Sequence, residues 1–482
     1  MEVDEINSAL GCQQQGHVMT QDDNSFLSAK PSEPDLEASQ VDAPTDSETA
    51  EPRPTPEPAH PSQRIAAVDV LRGVALLGIL AMNIVLFGWP FGAYENPIYS
   101  GGDDLPNVVA WVTNSVIFSG KMMSLFSMLF GAGLVLMGER AKDRGATITS
   151  TYYRRILWLL VIGLIHAYLI WNGDILVYYA LCGLLLYFFR RLSPKTLLIL
   201  GAAVVGVGAF LLFGMTLFAG FARDAAEQVE MARAAGTEPE EWQKGIAQGW
   251  NEGMRSFFNP SQEEIDGSIA VYRSGYVEIV RHRAPEVLFM HLFGILFMFW
   301  VVGGRMLVGM ALMKLRVFSA ELSWRFYVGL ALFGYGLGLP LTIVGMVDVV
   351  ANDYDLLSAP WGSLLFNLGM LPVALGHAAV VMMVCKGGIL TWLTDRLGAA
   401  GRLALTNYLM QSILCTLLFY GYGLGLFGHL DRVGLWGVVF GVWVLQLLIS
   451  PIWLKYFRYG PAEWLWRSLT YWKWQPIGVG KS

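Results

Sequence analysis

Residues 65–89 read I-A-A-V-D-V-L-R-G-V-A-L-L-G-I-L-A-M-N-I-V-L-F-G-W, and after Arg72 the next charged residue is Glu95. A helix rises about 1.5 Å per residue and needs about 20 apolar residues to cross a bilayer. The stretch therefore predicts a membrane-spanning helix. Three polar side chains, Asp69, Arg72 and Asn83, nevertheless sit within it or at its edge. Such groups are costly in hydrocarbon and turn toward a protein interior or a cavity, so the same stretch predicts part of a site.

Outward from this helix, apolar runs alternate with short charged loops. They lie at 66–89, 122–138, 156–171, 175–189, 196–221, 287–313, 326–347, 360–385, 403–430 and 433–454. The fold class is all-α: a polytopic membrane protein of about ten transmembrane helices, with 105–120 as a lead-in. The chain has 482 residues, 54% hydrophobic and 15% charged, against roughly 25% charged in soluble domains. Basic blocks that would hold nucleic acid are missing, so the partners expected are the bilayer and a small-molecule substrate. The four cysteines have the spacing neither of a disulfide framework nor of a zinc motif, and no metal is expected. Residues 1–63, rich in Pro, Glu, Asp, Ser, Thr and Gln, read as a disordered acidic tail without the features of a signal peptide.

Loop charge gives the orientation. The segments 139–155, 190–195, 314–325, 386–402 and 455–482 are rich in Lys and Arg, whereas 90–120, 172–174, 348–359 and 429–432 are poor in them. Basic loops stay in the cytoplasm, which places both termini there. Two membrane halves, 64–221 and 286–482, flank a long segment, 222–285. That segment predicts helices over the outer face, as a lid or as a spacer.

Polar residues then fall at two depths. An inner layer comprises Asp69 and Arg72, three apart and able to pair, with Arg305, His377, Arg402, Asn407 and Gln411. An outer layer holds Asn83, about 16 Å beyond Arg72 along the axis, with Lys121, His166, Asp174 and His291. Each has a structural alternative. Asp69 and Arg72 form a stabilising pair, Arg402 and Lys121 snorkel, histidines bond across helices, and Asp174 caps a helix. His166 followed by Asp174 in H-A-Y-L-I-W-N-G-D is the most chemical pair, because a carboxylate fixes an imidazole's tautomer and raises its basicity.

The segments V-D-V-L-R-G-V-A-L-L-G-I-L-A-M-N-I, F-S-M-L-F-G-A-G, R-R-I-L-W-L-L-V-I-G-L-I-H-A-Y-L-I-W-N-G-D-I-L and G-R-L-A-L-T-N-Y-L-M-Q-S-I-L-C-T resemble the YeiB-like family of bacterial integral membrane proteins, a domain of unknown function. The resemblance covers nearly everything after Arg64. It implies a multi-pass protein of the bacterial cell membrane. The opening motif is also similar to that of the transmembrane acyltransferases. These include membrane sugar O-acetyltransferases and the lysosomal heparan glucosaminide N-acetyltransferase, which pass an acyl group from cytoplasmic coenzyme A to a sugar on the far face. In the O-acetyltransferases an Arg precedes a His by eleven positions. Here Arg72 matches the Arg, Asn83 stands at the His position, and Tyr94 stands where the heparan enzyme has a further His.

Two functions follow as expectations. In the first, an acyltransferase, the inner residues Asp69, Arg72, Arg305, Arg402 and Asn407 receive acyl-CoA, since guanidinium groups suit phosphate. His166, oriented by Asp174, is then the general base, and Asn83 supports the oxyanion. The acceptor is an extracytoplasmic saccharide or similar molecule. In the second, a secondary transporter, the same groups bind a small metabolite or anion, and Gly303-Gly304 and 421–428 act as hinges.

Overall fold

The computed structural model describes residues 65–99, 104–145 and 147–479, so the predicted acidic tail lies outside the described residues. These residues form helices and turns, with an isolated β-bridge between Phe457 and Gly478. The chain runs through α1 (Ala66–Gly88), α2 (Gly92–Glu95), α3 (Leu105–Thr113), α4 (Lys121–Asp143), α5 (Thr149–Ile165), α6 (Leu176–Phe189) and α7 (Pro194–Ala234). It continues through α8 (Glu241–Gly249), α9 (Arg255–Phe258), α10 (Gln262–Tyr272), α11 (Tyr276–Met298), α12 (Gly304–Lys314), α13 (Trp324–Ala351) and α14 (Pro360–Gly387). The last four are α15 (Thr391–Arg402), α16 (Ala404–Phe419), α17 (Arg432–Tyr456) and α18 (Pro461–Tyr471).

Each predicted apolar run contains helix, but the ninth, 403–430, is helical only to Phe419 and then turns through 420–430. Seven helical elements are long and apolar enough to cross a membrane: α1, α3 with α4, α5, α7, α13, α14 and α17. The fourth and ninth runs fall on the shorter apolar helices α6 and α16, and the sixth falls on α11 and α12, joined by a π-helical turn at Phe299–Gly303. The fifth run does not stop at residue 221. α7 continues to Ala234, because Ala222, Ala226 and Val229 form a buried stripe packed with Ala247, Trp250 and Leu357. The segment 222–285 is accordingly helical, comprising the end of α7, then α8 to α10 and the start of α11.

α1 is the axis of the bundle. Of its apolar window 72% is buried, against 28% to 56% for the other long elements. Glycines bring its neighbours to backbone contact. A Cβ on Gly73 would collide with the Leu397 carbonyl, and one on Gly401 with the Asp69 carbonyl. α1 and α15 therefore cross with no side chain between them, the close approach that small residues allow in membranes. Gly131 and Gly309 do the same for α4 and α12, against Met306 and Met128. One core cluster links α1, α4, α5, α6, α7, α12 and α14 with Tyr408 of α16.

The two ends of the bundle differ. At one end the basic loops meet: Trp466 donates to the Arg155 carbonyl at 2.8 Å, and Lys314 donates to the carbonyls of Arg190 and Leu192 at 2.7 Å. At the other end the loops poor in Lys and Arg meet, with Trp89 donating to the Leu430 carbonyl (2.7 Å), Gly428 N–H to the Gly88 carbonyl (2.7 Å) and Arg432 to the Ala93 carbonyl (2.6 Å).

Candidate functional site

The basic end holds a cavity of about 300 Å³. Six arginines line it: Arg72 from α1, Arg140 from α4, Arg144 just after α4, Arg155 from α5, Arg402 from α15 and Arg467 from α18. Two carboxylates, Asp69 and Glu463, join them, so the formal balance is four positive charges. The α1–α15 glycine crossing sets Arg72 in place: its Nη1 donates to Asp69 Oδ1 at 2.7 Å and reaches the Gly401 carbonyl at 3.5 Å. The guanidinium of Arg155 stacks on Trp466 (3.9 Å) and that of Arg467 on Tyr459 (4.7 Å), leaving the guanidinium planes pre-positioned rather than free to rotate. Glu463 is buried and has a structural task. Its Oε1 accepts the N–H groups of Leu405 (2.6 Å) and Thr406 (3.0 Å), which caps the first turn of α16. Burial pushes its carboxyl above the usual range.

Besides the charged groups, the cavity has apolar and phenolic walls that include Ile79, Ile175, Tyr179 and Tyr408. His166 and Asp174 do not line the cavity, and neither does Ser412; Tyr408, which does, has its ring centroid 5.0 Å from that of His166. His166 opens a π-helical turn, His166–Ile170, at the end of α5, a local widening frequent at functional positions. Its Nδ1 lies 2.8 Å from Asp174 Oδ1 and its Nε2 lies 2.9 Å from Ser412 Oγ. The other Asp174 oxygen accepts the Val177 N–H at 2.8 Å. The two readings of Asp174 are thus both fulfilled: one oxygen holds the first turn of α6 and the other holds the imidazole. An ionised carboxylate only accepts, so Nδ1 carries the proton and, in the neutral ring, Nε2 accepts from the Ser412 hydroxyl. His166, Asp174 and Ser412 are all buried, at 0%, 5% and 1% exposure.

The structure separates other residues that the sequence grouped together. Asp69, Arg72 and Arg402 line the cavity; Arg305 and Asn407 do not. Arg305 is buried between α4 and α14, with Nε donating to Ser124 Oγ at 2.7 Å, a bond to the Val301 carbonyl and a contact to Met370 Sδ at 3.8 Å. Asn407 ties α16 to its neighbours, donating to the Ala400 carbonyl and Ser450 Oγ, each at 3.1 Å. Gln411 likewise donates to Gln446 Oε1 at 2.9 Å. Asn83, on α1, neither lines the cavity nor bonds to the imidazole. Lys121 is fully buried rather than snorkelling, donating to the Ser115 carbonyl at 2.7 Å and lying 4.1 Å from the Phe366 ring centroid. His377 bonds across helices, with Nδ1 at 2.8 Å from the Tyr335 hydroxyl and Nε2 at 3.0 Å from the Ile117 carbonyl. His291 sits edge-on to Tyr168 and Tyr178.

Four cavity arginines, Arg140, Arg144, Arg155 and Arg467, were legible only as topology charges. Their concentration in loops assigned to one side is the signal that could have grouped them. Ser412 carries no such signal. It is a serine in an apolar run, 246 residues from His166.

Comparison with known proteins places the chain. A family profile described as "Protein of unknown function (DUF418)" matches residues 312–473. An uncharacterized protein of Bacillus subtilis (strain 168), YxaH, is 33% identical over 429 residues, 87% of this chain and 98% of the relative. The uncharacterized protein YeiB of Escherichia coli (strain K12) is 31% identical over 423 residues, 85% of this chain and 96% of the relative. The chain belongs to the YeiB-like family. A third member of this likeness, an uncharacterized 39.9 kDa protein in the amylase 3' region of Bacillus acidopullulyticus, is 25% identical over 424 residues, 87% of this chain and 97% of that protein. No solved structure matches. The likeness spans nearly the whole length of both YxaH and YeiB, and the α16 residues lie within the profile match at 312–473.

Proposed function

We propose that this YeiB-like protein is a membrane acyltransferase, moving an acyl group from cytoplasmic acyl-CoA to an extracytoplasmic saccharide or similar acceptor. The observation that carries the reading is the arginine-lined cavity whose walls include Tyr408, a ring 5.0 Å from that of His166. Phosphate esters are dianionic or nearly so, and guanidinium forks bind them with two parallel hydrogen bonds. A mouth with six arginines suits a nucleotide with several phosphates. An apolar throat of modest volume suits an acyl-pantetheine arm, and ligand pockets of this kind start near roughly 300 Å³. His166, held as the Nδ1–H tautomer by Asp174, has a basic Nε2 directed away from the carboxylate, the arrangement a general base requires. The accompanying topology is ten crossings of a bacterial cell membrane with both termini cytoplasmic, in accord with the meeting of all basic loops at one end.

A second reading draws on the same arginine-lined cavity at one end of the bundle, which an inward-open carrier of a small anion would also present. The two part in one experiment. Inside-out vesicles containing the protein are given acetyl-CoA labelled in the acetyl group. Acyl transfer predicts label retained in glycans of the vesicle lumen, lost in His166→Ala. Counterflow of a small anion in vesicles lacking coenzyme A, with no retained label, would replace the first reading by the second.

A further inference from the structure

We infer that Ser412 is the nucleophile of a covalent relay, accepting the acyl group before the final acceptor does; this rests on the acyl-transfer reading above. Ser412 Oγ stands 2.9 Å from His166 Nε2, and His166 Nδ1 stands 2.8 Å from Asp174 Oδ1. The alternative acceptor for the serine hydroxyl, the Tyr408 carbonyl one turn earlier on α16, is farther away at 3.4 Å. The hydroxyl proton is therefore directed at the imidazole. Asp174 also bonds the Val177 N–H at 2.8 Å, so the carboxylate cannot swing away and the tautomer is fixed. Serine, histidine and carboxylate in this order and at these separations are the arrangement that activates a hydroxyl for acyl transfer.

Two further observations favour a reacting group over a structural bond. First, the cavity lining includes Tyr408 and Ile175, the immediate neighbours of Ser412 and Asp174 in the fold. An acyl chain in the cavity thus reaches the Tyr408 ring, which lies beside the imidazole that Ser412 bonds. Second, the indole N–H of Trp171 is buried without a hydrogen-bond acceptor, and its ring centroid lies 6.3 Å from that of His166. An unsatisfied buried donor is costly, and a developing oxyanion is a partner that would satisfy it.

The steps balance. Ser412 Oγ attacks the thioester carbonyl carbon as its proton passes to His166 Nε2. The tetrahedral intermediate collapses, the carbon–sulfur bond breaks, and the coenzyme A thiolate takes the proton from His166. An acyl ester on Ser412 remains and His166 is neutral again. The acceptor hydroxyl or amine then attacks the ester, giving its proton to His166, which returns it to Ser412 Oγ as that oxygen leaves. Oxidation states do not change.

The test uses the full chain, purified in detergent, with two probes: acetyl-CoA labelled in its acetyl group, and a biotinylated fluorophosphonate, which reacts with base-activated serines without coenzyme A. The expected result is acid-stable acetyl label on the peptide containing Ser412, released by alkaline hydroxylamine. The label is lost in Ser412→Ala, while acetyl-CoA binding remains. Ser412→Cys restores the label as a thioester released by neutral hydroxylamine, which a merely structural serine would not do. The fluorophosphonate labels the same residue. Wild-type protein that binds and consumes acetyl-CoA with Ser412 unlabelled by either probe overturns the relay and leaves the donor assignment standing. Fluorophosphonate labelling of Ser412 in a protein that does not bind acetyl-CoA leaves the nucleophile standing and overturns the donor.

Discussion

The two ends of the bundle are built from opposite materials. At the basic end, α1, α4, α5, α15 and α18 surround a cavity in which arginines outnumber carboxylates by six to two. At the far end, aromatic rings close the structure: Phe87 stacks on Trp171 at 3.9 Å, Tyr272 stacks on Phe427 at 4.6 Å, and Tyr420 packs with both Tyr272 and Phe427. Arg283, 1% exposed, is used there as a fastener, donating to the carbonyls of Ile170 (2.9 Å) and Tyr168 (3.0 Å) next to His166. The same residue type thus does two jobs. Where its hydrogen bonds go to backbone carbonyls it locks a loop, and where its planar face is stacked and its edge faces a cavity it is available to an anion. His166 lies between these ends, its ring 6.3 Å from that of Trp171 on one side and 5.0 Å from that of Tyr408 on the other.

Substitutions at each level sharpen this contrast, the largest effect being expected where both ends converge. Asp174→Asn keeps an acceptor for Val177 but turns an amide N–H toward His166, which forces the opposite tautomer and removes the basic Nε2. Acyl transfer should fall by about 10³–10⁴-fold with folding intact, measured as labelled glycan in vesicles against monodisperse elution of the variant. A loss of less than tenfold would detach His166 from the chemistry.

Next in size is the crossing that builds the open end. Gly401→Leu forces α15 away from the Asp69 carbonyl, and overpacking of this kind costs about 1–3 kcal/mol. The thermal midpoint in detergent should drop, with coenzyme A binding lost in parallel. Gly214→Leu on α7, where a Cβ meets nothing within 4 Å and which does not line the cavity, should leave both unchanged.

At the closed end, Arg283→Ala strands two carbonyls. Amide exchange in 262–283 should quicken about tenfold, on the order of 1.4 kcal/mol of local stability, while the cavity at the other end keeps its affinity. A parallel loss of affinity would show that the ends are coupled.

The smallest effect concerns Glu463. Glu463→Ala removes the α16 cap and should cost about 1 kcal/mol, whereas Glu463→Gln, which keeps an acceptor, should be nearly neutral. Because burial raises its folded pKa above the unfolded value, the wild type loses stability as pH climbs from the ordinary carboxylate range through that raised value. The glutamine variant should show a flatter profile over the same interval, measured by thermal melts.

The sequence exposed the helices because a bilayer demands long apolar runs, and it exposed the His166–Asp174 pair because a tight turn joins them. It misplaced what depends on azimuth. Position along a helix fixes depth, but which side of the helix a residue faces depends on packing partners hundreds of residues away. Asn407 faces other neighbours, and Arg305 bonds Ser124 near the start of α4, whereas Arg72 shares its cavity with Arg140 near the end of that helix. Asn83 shares the first helix with Arg72 but not its cavity. Ser412 was invisible for the same reason: only the folded bundle brings α16 against the end of α5. The prolongation of α7 was missed because its alanine stripe at 222–226 is mixed with charges that face away from the core.

The most direct test of the account is a binding isotherm for acetyl-CoA on the full chain in lipid nanodiscs, compared with Arg72→Gln and Arg467→Gln and repeated at rising salt. Removing one charged hydrogen-bonding partner is expected to weaken binding by about 10–100-fold, or roughly 1.5–3 kcal/mol, and salt is expected to weaken the wild type more than either variant. Equal affinity in all three proteins, or an affinity indifferent to salt, would contradict the claim that the arginine-lined end receives the acyl donor.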